Sequence, residues 1–339
     1  MSKVLVTGGA GYIGSVLVRL LINKGYKVRV LDRLFFGKES LVDIEDKIEL
    51  IKGDVRDVRK EVFDGIDTVM DLAAISNDPS GELDKQKTLD INYLGRTRIA
   101  HLAKLSGVRR YILASSCSIY GFQDDVLTEE SKVNPLTTYA EANYLAEKST
   151  LSLADETFCV TALRQSTVFG FSNRMRFDLV VNGMVGAYYQ LGYLELLRDG
   201  NQWRPHIHVK DTGKAFIEVM EAEKEKVNGE IFNVGSNDLN IQIFDLGERI
   251  CKGINKPFYY KWHGTPDKRS YRVNFDKIKN VLGYETKYSI EEATREIWNK
   301  MEHNLINWDD PKTRTVNWYD KLIKSNKQLK EVSRFGDIL

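Results

Sequence analysis

Cysteine is scarce in this chain. There are three in 339 residues, and Cys117, Cys159 and Cys251 lie far apart without metal-like spacing. Metal ligation is therefore not expected, and a reduced, cytoplasmic setting fits. No apolar run approaches the roughly 18–20 residues needed to span a bilayer. Charge of either sign is not in excess: 49 Lys and Arg against 48 Asp and Glu leave a net +1. Nucleic acid and membrane surfaces call for a strong basic asymmetry, so neither is an expected partner. Tandem repeats and low-complexity stretches are also missing. The opening "MSKVLVTGGAGYIG" goes directly into strand and glycine-loop chemistry, without the pattern of a secretory leader.

What is present is a globular composition, 42% hydrophobic and 29% charged, in a chain long enough for two packed regions. The first half alternates β-branched runs with amphipathic ones. "KVLVTGG" reads as a strand, "SVLVRLLINKG" as a helix closed by Gly25, and "KVRVLD", "TVMDLAA" and "RYILASS" as further strands; "CVTALRQSTVFG" reads as a sixth. This alternation predicts an α/β fold, a doubly wound parallel sheet of Rossmann type with a smaller C-terminal substrate-binding region. Residues 1–169 are expected to form the dinucleotide domain, 170–300 a substrate region partly interleaved with it, and 301–339 a polar, peripheral extension.

In "VLVTGGAGYIGS", Gly9, Gly11 and Gly14 fit G-x-G-x-x-G, while Gly8, Gly11 and Gly14 fit G-x-x-G-x-x-G. The loop follows a strand, opens a helix, and is succeeded by Asp32 at the end of the second strand. Glycines let a pyrophosphate approach the backbone at a helix N-terminus, where unpaired N–H groups favour anions. Asp32 accepts hydrogen bonds from an adenosine ribose and repels a 2′-phosphate, which favours NAD over NADP.

Together, "TGGAGYIG", Asp32, "GDVRD", "DLAA", "DINYLG", "SSCSIYG", Tyr139 and "WRPHIHVKD" resemble the extended short-chain dehydrogenase/reductase family, in its nucleotide-sugar epimerase and dehydratase branch. The resemblance covers roughly the first 300 residues. It implies NAD as cofactor and a nucleoside-diphosphate sugar as substrate. Tyr12, Ile13, Asp54, Val55, Leu72, Ala73, Ala74, Asn92 and Ser115 are then cofactor residues beside the glycines. Ser116 and Tyr139 become the catalytic pair, Tyr139 taking a proton from a sugar hydroxyl. Arg204 is matched to a diphosphate contact, and Asp267 and Arg269 to a closing loop. Thr167, at a position where many relatives carry asparagine, leaves the base open among UDP, GDP, dTDP and CDP. Arg176 and Asp178, in "RMRFD", read as substrate contacts or as part of a solvated basic turn; His206 and His208 read as structural. The resemblance also implies a homodimer, with "DINYLGRTRIAHLAKL" and "YAEANYLAEKSTLSLA" pairing into a four-helix bundle.

One departure stands out. The position four residues after Tyr139, lysine in the family, is Asn143. At about 4 Å and an effective dielectric near 20, a lost charge is worth about 4 kcal/mol, or about three pKa units on a phenol. Slower proton abstraction and an alkaline optimum are expected. The leading reading is an NAD-dependent epimerase working at C4 through a transient keto sugar. A net dehydrogenase or reductase, or a weakly catalytic binding relative, are the alternatives. A dehydratase is disfavoured, because Cys117 and Ser118 stand where its acid pair belongs.

Overall fold

A computed structural model describes residues 2–265 and 270–333. At its centre is a seven-stranded sheet in which every neighbouring pair runs parallel. The strands are β1 (Lys3–Thr7), β2 (Lys27–Asp32), β3 (Ile48–Lys52), β4 (Thr68–Asp71), β5 (Arg110–Ser116), β6 (Cys159–Gln165) and β7 (Glu230–Val234), in spatial order β7-β6-β5-β4-β1-β2-β3. The expected doubly wound sheet is present. Strand order reverses between β1 and β4, and the loops leaving their C-terminal ends part there to form a crevice.

The longer helices are α1 (Tyr12–Asn23), α2 (Arg96–Leu105), α3 (Thr138–Leu151), α4 (Val180–Leu191), α5 (Val209–Glu221), α6 (Ile243–Gly253), α7 (Ile290–Glu302) and α8 (Thr315–Val332). α1 buries Val16, Leu17, Val18 and Leu21, and Gly25 ends it at φ 87°, a left-handed conformation that costs glycine little. With α5 it covers one face of the sheet over Val4, Val6, Val30 and Phe232. α2 and α3 cover the other, over Leu5, Val69, Tyr111 and Val160. Burial on both faces explains why the strands read as nearly unbroken apolar runs. No helix among the described residues is long and apolar enough to cross a membrane.

The sixth strand expected for "CVTALRQSTVFG" is divided. Ser166 directs both its backbone N–H and its hydroxyl to Val234 O, at 3.1 and 2.9 Å, which ends β6. Thr167–Phe169 then leaves the main sheet and pairs with His206–His208. That small sheet leads into a second apolar core built from α4, α6 and α7, including Val181, Val185, Leu246, Ile250, Ile290 and Ile297. Tyr12 ties the two regions together: its hydroxyl donates to Gly170 O at 2.6 Å and accepts from Asn182 Nδ2 at 3.0 Å.

α3 carries Tyr139, Asn143 and Glu147 at four-residue intervals, hence on one face. Glu147 is buried and forms a two-point ion pair with Arg164 of β6, at 3.0 Å from Nε and 2.6 Å from Nη2. Ser115 of β5 donates to the same carboxylate at 2.8 Å, and Arg164 continues to Tyr120, whose hydroxyl donates to Asn233 of β7. Removing one member strands a buried charge, at a cost of about 3–5 kcal/mol. Glu147→Ala should therefore lower the urea midpoint by that equivalent, while the apolar pair Glu147→Leu with Arg164→Met should lose less. An unchanged midpoint in Glu147→Ala would contradict the network's role.

Candidate active site

After β1 the backbone turns tightly into α1. A Cβ on Gly8, at φ 69°, would meet the Ala73 amide nitrogen at 2.9 Å, and one on Gly14 would meet Gly8 O at 2.2 Å. The Gly11 N–H closes the turn onto Gly8 O at 3.0 Å. Glycine at these positions lets the loop, the β4 loop and the α1 N-terminus pack backbone to backbone, beside the cleft that Gly8, Gly11 and Gly14 border. Thr7 Oγ1 accepts the Leu72 and Ala73 N–H groups, both at 3.1 Å, and so joins the β1 and β4 loops. Asp32 accepts from the Ala10 N–H at 3.0 Å and the Leu34 N–H at 2.7 Å, while burial raises its carboxyl above the usual range. Asp54 is held by Arg56 at 2.6 and 2.9 Å and by Arg33 at 3.4 Å; the Arg56 hydrogen bond is the main reason its carboxyl lies low.

These groups line one continuous cleft of about 800 Å³. Gly8, Gly11, Tyr12, Ile13, Gly14, Asp32, Asp54, Val55, Leu72, Ala73, Ala74 and Ser115 border it, as do Ser116, Tyr139, Asn143, Thr167, Arg176, Asp178 and Arg204. Asn92 does not. It is fully buried behind the wall, where its amide grips Ile75 from both sides, accepting from the N–H at 2.8 Å and donating to the carbonyl at 2.9 Å. Asp267 and Arg269 lie outside the described residues.

Tyr139 sits in the first turn of α3. Thr137 caps that turn, accepting from the Ala140 N–H at 3.1 Å and donating to Asp78 at 2.5 Å. Gly81 packs so closely beneath it that a Cβ there would lie 2.9 Å from the Tyr139 Cβ. Ser116 ends β5 and accepts from the Ser118 N–H at 3.1 Å. Burial raises the Tyr139 phenol, Asp78 adds to the rise, and Ser116, Arg96 and Arg176 oppose it. Asn143 is buried, its Nδ2 donating to Tyr139 O at 2.8 Å and its Oδ1 accepting from Arg96 at 2.9 Å.

The Arg174–Asp178 run is not a solvated turn, since both arginines are buried. Arg176 grips Asp178 at 2.9 and 2.8 Å and reaches Ser76 at 3.1 Å. Arg174 lies over the Phe36 ring at 3.7 Å, and burial lowers it to about 10. Arg204 lies over Tyr271, 5.6 Å from the ring centre. Burial drives the His206 and His208 imidazoles down to about 4 and about 3; His208 accepts the Lys210 N–H at 3.2 Å as the cap of α5.

Two contributions were invisible in the sequence reading. Arg96 is one: it is buried at 1% exposure against Asn143, although its place in "GRTRIA" looks like an ordinary helix surface. The other is the segment expected to be peripheral, from which Trp308, Arg314 and Tyr319 line the cleft. Trp318 Nε1 donates to Phe35 O at 2.6 Å, and the Tyr319 ring meets Phe35 and Phe36 edge-on. A run of aromatics in that tail, "NWDDPKTRTVNWYD", was the available signal.

Comparison with known proteins fits this geometry. The sequence model described as the NAD dependent epimerase/dehydratase family matches residues 4–235. The chain is 29% identical over 332 residues to UDP-glucose 4-epimerase of Lactobacillus helveticus, covering 91% of this chain and 99% of that protein. It is 28% identical to UDP-glucuronic acid decarboxylase 1 of Arabidopsis thaliana over 327 residues, 91% of this chain and 72% of that one. Among solved structures, MoeE5 in complex with UDP-glucose and NAD superposes with a TM-score of 0.78 at 26% identity, covering 90% and 100% of the two chains.

Asp32→Ala should weaken NAD binding about tenfold or more in titration calorimetry and narrow the preference over NADP, since acceptor and repelling charge go together. Unchanged affinities for both dinucleotides would remove Asp32 from the cofactor site. A match across more than half the chain, over the same residues that build a cradle for the family's dinucleotide, gives the conclusion that this chain belongs to the NAD dependent epimerase/dehydratase family.

Proposed function

We propose that the protein is an NAD-dependent nucleotide-sugar epimerase acting at C4 of a hexose through a transient 4-keto sugar. The observation that carries this reading is the position of Ser116 and Tyr139. They stand together in the single cleft that joins the glycine cradle to the side bearing Thr167, Arg176 and Arg204. The bound dinucleotide supplies a hydride acceptor and, once reduced, a hydride donor. Tyr139 takes the C4 hydroxyl proton as hydride leaves C4, and returns it when hydride is delivered to the other face of the turned sugar. Ser116 hydrogen-bonds the reacting oxygen, and Arg204 binds the diphosphate. UDP sugars are the first candidates, because the relatives described above carry them in their names.

Dehydration finds no support at Cys117. That thiol is buried, raised by burial, and directed to Arg164 O at 3.2 Å, so it offers no acid–base partner. Net oxidation or reduction of the sugar on the same scaffold is the second reading, and stoichiometry separates the two. A panel of UDP, GDP, dTDP and CDP sugars should give one substrate whose C4 stereochemistry inverts with no accumulation of NADH. Stoichiometric NADH would favour the oxidoreductase, and silence across the panel would overturn both.

Tyr139→Phe should lower kcat by about 10²–10⁴-fold with sugar-nucleotide binding retained. The base form exists only above the phenol's raised pKa, so kcat/KM should climb with pH on the alkaline side of neutrality. Arg204→Ala should weaken sugar-nucleotide binding and spare NAD. We also propose a homodimer through the outer faces of α2 and α3, where Leu105 at the end of α2 and Leu94 just ahead of it are exposed. Sedimentation at micromolar concentration should give twice the 38.8 kDa chain mass, and a monomer would refute it.

A further inference from the structure

Tyr139 is surrounded by charges from several elements. Asp78 approaches from the segment packed under α3, and Glu82, next to it in the fold, accepts the Thr138 N–H at 2.8 Å. Arg176, paired with Asp178, comes from the loop after Thr167–Phe169. Arg96 comes from the start of α2, and Asp71, at the end of β4, lies 3.7 Å from its Nε. Arg96 leads the cations acting on the phenol.

Arg96 is placed with unusual constraint. One Nη donates to Asn143 Oδ1 at 2.9 Å, and the other to Asp71 O at 3.0 Å and Ala114 O at 2.5 Å. A guanidinium can only donate, so the Asn143 oxygen must face it and the Asn143 amide nitrogen must point away from it, back along α3. There one N–H goes to Tyr139 O at 2.8 Å, leaving the other for the cleft that Asn143 borders. This guanidinium is taken out of water, and Asp71 meets it only at salt-bridge distance from Nε.

We propose that Arg96 is a positioning residue that takes over the electrostatic part of the role the family assigns to the lysine at position 143. The cation has moved from α3 to α2, and Asn143 is its polarised extension. The remaining amide N–H serves as the donor towards the cleft, and the charge behind it favours the Tyr139 phenolate. Asn143 is then half of a two-residue replacement instead of a lost catalytic part. It also follows that Asn143→Lys alone should not improve the enzyme, because the new ammonium would face Arg96.

The inference rests on Tyr139 as the acid–base group of the proposed reaction, but its test needs neither substrate nor dinucleotide. The Tyr139 titration is read from the ultraviolet tyrosinate signal of the protein minus that of its Tyr139→Phe counterpart. Arg96→Gln should move the midpoint up by about one unit, and Arg96→Lys should leave it within about 0.3 unit. Arg96→Gln combined with Asn143→Lys should bring it back, since a cation returns to the Arg96–Asn143 pair. With a turned-over sugar nucleotide, Arg96→Gln should lower kcat about tenfold near neutrality, with KM within about twofold, and recover at alkaline pH. A folded Arg96→Gln protein with an unmoved midpoint would leave Arg96 a structural staple only. Should that variant not fold, a midpoint shifted by more than a unit in Arg96→Lys or in the double variant overturns the proposal. A shifted titration with a silent substrate panel would overturn the reaction and keep the role of Arg96.

Discussion

The setting of α3 depends on burying a carboxylate. Glu147 is buried away from the surface, so Arg164 must meet its charge, and Arg164 is fixed inside β6. That contact sets the rotation of α3 about its axis. Once Glu147 points at the sheet, Asn143 and Tyr139, one and two turns back along the same face, point at the sheet's C-terminal edge. Ser115, bonded to the same carboxylate, fixes the end of β5 and with it Ser116. Ser116 and Tyr139 are therefore held by an ion pair that does not line the cleft they border.

The cofactor side depends on backbone contact instead. Gly8 and Gly14 let neighbouring backbone approach where a Cβ would collide with it, and Thr7 bridges the two loops that flank the strand-order reversal. Asp32 ties the glycine loop to the end of β2 through Ala10 and Leu34. Its carboxylate is thus held in place at the border of the cleft.

What the sequence disclosed was local. The glycine spacing, the strand before it and Asp32 after it lie within one βαβ unit, where chain distance and spatial distance agree. The four strands "KVLVTGG", "KVRVLD", "TVMDLAA" and "RYILASS" were legible for the same reason, Ile48–Lys52 was not, and "CVTALRQSTVFG" was legible only in part, because its break at Ser166 depends on Val234, distant in sequence. Tyr139 and Ser116 were found through the motif around them. Arg96 and Arg164 were not, since a buried guanidinium is recognised by partners 47 and 17 residues away, not by its neighbours in the chain. Position 143 looked like a lost charge because the residue facing it belongs to another helix. The resemblance places Asn92 of "DINYLG" near the cofactor, and the structure sets it behind the cleft wall, where its amide holds the Ile75 backbone.

The aromatic contacts of α8 make the site a composite of the chain's extremes. Gly8 contributes to one wall and Tyr319 to another, and the Tyr319 ring rests on the Phe35–Phe36 loop. During vectorial synthesis β1 to β6 can assemble long before Trp318 has been translated. A nascent chain can therefore possess the glycine cradle while its cleft still lacks a side. The wall that Trp308, Arg314 and Tyr319 supply is added only after the sheet that carries the glycine loop.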